Sequence, residues 1–134
     1  EKEGKERTAP DLDFNANIEM DADEFRDYVD DAAIVGDAIT FELVDGKLNI
    51  NAGETGSKVH IDVKKDSDAV INFELKENAR SIFSAEYLKK IASSAKLTDT
   101  VVMNLSNDYP TRLDFKALNK LRVQFILAPR IENQ

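Results

Sequence analysis

Cysteine and tryptophan are absent from this 134-residue chain, histidine occurs once and proline three times. Without cysteine there is no disulfide, no thiolate nucleophile and no thiolate metal site, which fits an intracellular location. His60 stands alone, at a polar position of an alternating strand, and reads as a surface histidine rather than a catalytic or ligating one. No HExxH, GxSxG or Walker glycine loop occurs, so no enzyme is expected and no metal or cofactor is called for. No apolar run approaches the about 18 residues that span a bilayer, and the opening EKEGKERTAP carries no signal-peptide pattern. Cations are also short: the formal net charge of -8 argues against a broadly basic nucleic-acid binder, while leaving room for a local basic patch.

What is present belongs to an ordered, water-soluble chain of single-domain size, 42% hydrophobic and 33% charged. Residues 1–11 have no hydrophobic period and end in Ala9–Pro10–Asp11, which reads as a tether, so order is expected from about Leu12. Phe14, Ala16, Ile18 and Met20 alternate with polar residues, the pattern of a strand with one buried face. Asp21 and Glu24 fit a capping box, with Met20 and Phe25 as its hydrophobic staple. Phe25, Val29, Ala32 and Ala33 then follow a helical period over 22–35, until Gly36–Asp37 stops it. Strands are expected at 38–43 and 47–51 around the Asp45–Gly46 turn, and at 57–64.

The pattern then begins again. Residues 69–83 are strand-like, Ser84 caps a second helix over 85–96, and strands follow near 101–106, at Leu113 and Phe115, and at 121–127. The caps Asp21 and Ser84 lie 63 residues apart, and Ile39/Val101, Leu43/Leu105, Val59/Leu121 and Ile61/Val123 lie 62 apart. This is a duplicated βαβββ unit, over about 14–66 and 69–128. One copy cannot cover both its helix and its sheet, so two should share a core. The expected fold is α+β, with two adjacent helices packed on an antiparallel sheet whose other face is solvated.

Candidate chemistry is sparse. GETGSK (53–58) lacks the Walker spacing and precedes a strand, so it reads as a hairpin loop. Asp30–Asp31 reads as a wet helix face. Lys89 and Lys96 share a stripe with Ser93 on the second helix, with Lys90 beside it. That stripe suits either a phosphate backbone or plain solvent. The ending FILAPRIENQ keeps apolar residues where a chain usually turns polar. In its strand Val123, Phe125 and Leu127 alternate inward, which leaves Ile126 pointing out.

Three stretches carry a resemblance: DFNANIEMDADEFRDYVDDAAIVGDAITFEL (13–43), SAEYLKKIASSAKLTDTVVMNLSNDYPTRLDF (84–115) and LRVQFILAPRIEN (121–133). Together they resemble the C-terminal domain of a DNA sliding clamp of the proliferating cell nuclear antigen family, in its archaeal form. The likeness runs from about Ala9 to Asn133. It implies a clamp domain over 12–129, preceded by the end of an interdomain connector (1–11) and followed by a tail (130–134). It further implies a DNA polymerase processivity factor, part of a ring that encircles duplex DNA without reading sequence. Such rings dock polymerase, nuclease, ligase and clamp loader through short peptides, and need neither cofactor nor membrane. A non-replicative accessory clamp or scaffold of the same fold is the alternative. The place of action would be the nucleoid-associated cytoplasm of an archaeon, or a eukaryotic nucleus.

Site residues follow from the same resemblance. Partner peptides would meet Ala9 of the connector, then Leu12, Phe14, Pro110, Ile126, Pro129, Arg130 and Ile131, with core packing the other reading for Phe14 and Pro110. Lys89, Lys90 and Lys96, with Arg26 from the first helix, would face DNA. Asp27 and Asp30 depart from this pattern by placing acids there. Lys58, Val59, His60, Ile61, Asp62 and Val63 would form the edge that meets the next subunit. The full-length protein would be a homotrimer, and this chain alone would not.

Overall fold

Asp21 and Ser84 start their helices as side-chain caps. The Asp21 carboxylate accepts the Glu24 N–H at 3.0 Å, and Ser84 Oγ accepts the Tyr87 N–H at 3.2 Å. The reciprocal half of the expected capping box does not form. Tyr28 Oη donates to Glu24 Oε1 at 2.6 Å, and the Asp21 N–H donates instead to Ala69 O at 2.9 Å. A phenol one turn along the helix competes for the Glu24 carboxylate and wins it.

The computed structural model describes residues 14–54, 56–117 and 121–130. Their order is β1 (Ala16–Asp21), α1 (Ala22–Val35), β2 (Ala38–Val44), β3 (Lys47–Glu54), β4 (Ser57–Lys64), β5 (Val70–Leu75), β6 (Ala79–Ser84), α2 (Ala85–Ser94), β7 (Thr100–Leu105), β8 (Thr111–Lys116) and β9 (Arg122–Leu127). The strand-like segment 69–83 is thus two strands. β6 opens the second repeat, and β5 stands outside the repeat as an added strand.

Two sheets form where one was expected: a five-stranded sheet ordered β5-β1-β7-β8-β9 and a four-stranded sheet ordered β4-β3-β2-β6. The repeats exchange their first strands. β1 pairs with β7 of the second repeat, Ile18 opposite Met103, and β6 pairs with β2 of the first, Phe83 opposite Ile39. The helix starts repeat the exchange: the Ala22 N–H donates to Asp99 O at 2.9 Å, and the Ala85 N–H to Asp37 O at 2.8 Å. Each helix therefore satisfies one of its open N–H groups from the other half of the duplication.

The two helices pack side by side over the apolar faces of the sheets. Phe25 of α1 joins the halves, its ring 6.1 Å from Phe41 in one sheet and 6.2 Å from Phe115 in the other. Inward residues of β1, β2, β3, β7 and β8 are no more than 8% exposed. Val59 and Ile61 on β4, and Val123, Phe125 and Leu127 on β9, both end strands of their sheets, are only half-buried.

The second helix is shorter than the expected 85–96. It ends at Ser94 with Ala95 as C-cap, and Ser94 Oγ turns back to Ile91 O at 2.9 Å. Consecutive serines compete with the backbone for hydrogen bonds and sustain a helix poorly. Thr98 Oγ1 then bonds Ala95 O at 2.6 Å, fixing the turn into β7.

Candidate functional site

On the outer face of the five-stranded sheet, side chains from distant parts of the sequence converge. Phe14 lies just before β1, held there by the Asn15 N–H on Ser106 Oγ at 3.0 Å. Its ring meets Tyr109 edge-on, centroids 6.2 Å apart. Asp108 adopts φ +49, a left-handed turn conformation that aspartate tolerates, and it aims the following Tyr109–Pro110 toward Phe14. The Arg112 guanidinium lies 5.5 Å over the Phe14 ring. Directly opposite Arg112 in the β8–β9 ladder is Ile126, 50% exposed, while its neighbours Phe125 and Leu127 turn inward. A half-exposed apolar cluster of Phe14, Tyr109 and Ile126, with Pro110 at its margin, thus surrounds one cation.

Asp114 supports that cation from below. It accepts Arg112 Nε at 3.1 Å, Gln124 Nε2 at 2.8 Å and the more distant Asn104 Nδ2 at 3.4 Å. Beyond Ile126 the chain crosses to the other sheet. The Arg130 N–H donates to Ile82 O of β6 at 2.7 Å, and its guanidinium Nη1 to Asp37 O at 3.2 Å. The Arg130 backbone donor is therefore engaged at the β6 edge. Pro129, partly buried, is held where this tie begins.

The helix face is electrically lopsided. Asp23, Asp27, Asp30 and Asp31 are exposed on α1, and its one cation, Arg26, is bound to Asp23 at 2.6 Å. Among these acids the Tyr28 hydroxyl is pushed up to about 12, mainly by burial and then by its bond to Glu24. On α2, Lys89 and Lys90 are exposed beside Ser93 and Ser94. Lys90 is restrained by Glu86 at 3.5 Å and by the Tyr87 ring at 5.7 Å. Lys96 does not share their helical stripe, since α2 has already ended at Ser94.

β4 is an edge strand, as expected. The Lys65 N–H donates to Gly46 O at 2.8 Å, which makes 46 and 65 a hydrogen-bonded pair. Alternation from that pair turns the backbone groups of Val59, Ile61 and Val63 toward β3 and those of Lys58, His60 and Asp62 outward. Asp62 is 2.9 Å from His60 Nε2 and 3.7 Å from Lys47. The other His60 ring nitrogen faces Asn51 Oδ1, so its contacts are those of a surface network.

A family model for the proliferating cell nuclear antigen C-terminal domain matches residues 8–131. The chain belongs to this family. It is 33% identical over 131 residues to a DNA polymerase sliding clamp of Nanoarchaeum equitans, covering 97% of this chain and 53% of that protein. DNA polymerase sliding clamp 1 of Pyrobaculum aerophilum is 32% identical over 130 residues, covering 96% and 52%. Among solved structures, A. fulgidus PCNA with the C-terminal region of FEN-1 bound superposes with a TM-score of 0.87. Identity there is 32%, over 98% of this chain and 53% of that one. Thermococcus kodakaraensis PCNA gives a TM-score of 0.83 at 25% identity, over 97% and 53%. The chain spans about half the length of the relatives it matches.

Within this clamp domain the expected site residues separate into groups. Phe14, Pro110 and Ile126 gather on one outer face, whereas Arg130 is occupied at the β6 edge. Ala9, Leu12 and Ile131 lie outside the described residues. Sequence reasoning passed over two residues of the cluster, Tyr109 and Arg112. The signal for Tyr109 was an aromatic before proline in an Asn-Asp turn; for Arg112 it was an outward strand position opposite Ile126. Among the described residues no group of three acidic or histidine side chains converges to hold a metal, and no helix is long and apolar enough to cross a membrane.

Proposed function

We propose that this chain is the client-docking half of a DNA sliding clamp, a non-enzymatic processivity factor that holds replication and repair proteins on duplex DNA through short peptides. The observation that carries this is the cluster of Phe14, Tyr109, Pro110 and Ile126. It is an apolar surface left open on a mostly polar sheet face, in a chain matched by the family along nearly its whole length. The relatives' names and the FEN-1 segment bound to A. fulgidus PCNA support the same reading.

In the assembled ring, α1 and α2 would line the hole, with Lys89 and Lys90 meeting phosphates loosely. The open β4 edge would pair with a neighbouring subunit to complete a trimer. The acidic face of α1 favours one second reading, an accessory clamp that scaffolds proteins more than it holds DNA. Titration of this chain with a fluorescent peptide ending in aromatic residues tests the docking role. Micromolar binding is expected, weakened about tenfold by Ile126→Ala as half-buried apolar contact is lost. Absence of binding by the folded protein would favour an accessory scaffold with other clients.

A further inference from the structure

The docking surface is not uniformly apolar. Arg112 stands inside it, between the Phe14–Tyr109 pair and Ile126, where an apolar residue would have joined the two into one patch. Each part of this side chain has a definite position. Nε is bonded to Asp114 Oδ2 at 3.1 Å, and the guanidinium carbon lies over the Phe14 ring, 5.5 Å from its centroid. Among the described residues its two Nη groups have no hydrogen-bond partner. The side chain is 28% exposed, so it is partly desolvated yet reachable. Asp114 does not spend its whole charge on Arg112, because Gln124 also donates to it at 2.8 Å.

We propose that Arg112 makes this docking site selective for peptides that carry a carboxylate beside their apolar anchor. The inference rests on the docking reading above and adds a charge requirement set by β8. The two Nη groups, without a hydrogen-bond partner among the described residues, form one side of a planar fork, the geometry that receives a carboxylate. The cation–π contact with Phe14 and the bond to Asp114 hold the fork in place, so little rotamer freedom remains to be lost on binding. The setting sharpens the effect: a chain of net charge -8 repels acidic peptides in general, and a fixed cation at the contact reverses that locally. A lysine would supply the charge without the fork.

The test uses this chain and two fluorescent peptides with the same aromatic anchor, one with Asp beside it and one with Asn. The Asp peptide should bind about fivefold more tightly at low salt, as expected for a half-exposed charge-assisted contact. Arg112→Gln should abolish the difference between the two peptides, and Arg112→Lys should retain only part of it. Arg112→Lys also keeps a donor for Asp114, so it guards against a Gln variant that fails to fold. Equal binding of both peptides to the native protein, or an Asp preference that survives Arg112→Gln, would overturn the assignment and leave the docking role standing. If neither peptide binds the folded protein, the docking role itself fails, and the assignment falls with it.

Discussion

A methyl group at Gly53 has nowhere to go. The backbone there has φ +94, and an added Cβ would lie 2.1 Å from Ser57 O. Gly36 is restricted for another reason: its φ is ordinary, but a Cβ would come within 2.9 Å of Gly53 N. Gly46 at φ +79 has open space around it. Gly53→Ala should therefore destabilise the fold by at least about 2 kcal/mol, and Gly46→Ala by only about 1 kcal/mol, as read by thermal or urea unfolding. Equal losses at the two sites would refute the steric account. The Asp-Gly turn at 45–46 was legible from sequence, since its chemistry is local. That Gly36 and Gly53 touch was not, because the end of α1 meets the β3–β4 hairpin only in the packed molecule. Glu24 teaches the same thing at shorter range: the capping-box spacing was present, and Tyr28 took the carboxylate instead.

The helices differ in what they offer an anion. α1 exposes four aspartates with its arginine already paired, whereas α2 exposes two lysines, one of them held by Glu86. If this layer faces duplex DNA, contact should run through α2 and be resisted by α1. Asp27→Asn with Asp30→Asn should then raise affinity for a labelled duplex several-fold at low salt. Lys89→Ala with Lys90→Ala should lower it and reduce the salt slope by about two phosphate contacts. Fluorescence anisotropy across a salt series reads both effects, and an unchanged affinity in the aspartate variant would place DNA elsewhere. The acidity of α1 was plain in the sequence. The expected stripe of Lys89, Ser93 and Lys96 loses Lys96 because α2 ends at Ser94: helical periodicity shows which residues would share a face but not where the helix stops.

Strand exchange makes the molecule one cooperative unit. Each repeat lends its first strand to the other's sheet, and Phe25 touches aromatic rings in both sheets. Residues 14–66 alone would lack the β6 partner of β2 and leave β1 without β7. Either half expressed separately should thus give no cooperative melting transition, while the whole chain melts in a single step; circular dichroism would show it. A half that melted cooperatively would mean that the repeats are independent and the exchange incidental. The duplication was visible from matching apolar positions, yet nothing in it told which strand pairs with which.

The sequence by itself determined what depends on neighbours within a few residues: the two helices and their caps, most of the strands, and the alternation that leaves Ile126 outside β9. Turning a side chain one way or the other along a strand needs only the two-residue period of the backbone. Tertiary structure decided what depends on residues far apart in the chain. Asn15 meets Ser106, 91 positions away, and Arg130 meets Asp37, 93 positions away. Such contacts bring Phe14 to Tyr109 and Arg112, split the strands into two sheets, and occupy the backbone of Arg130. They arise because both repeats must bury their apolar faces in one core, a condition no local pattern contains.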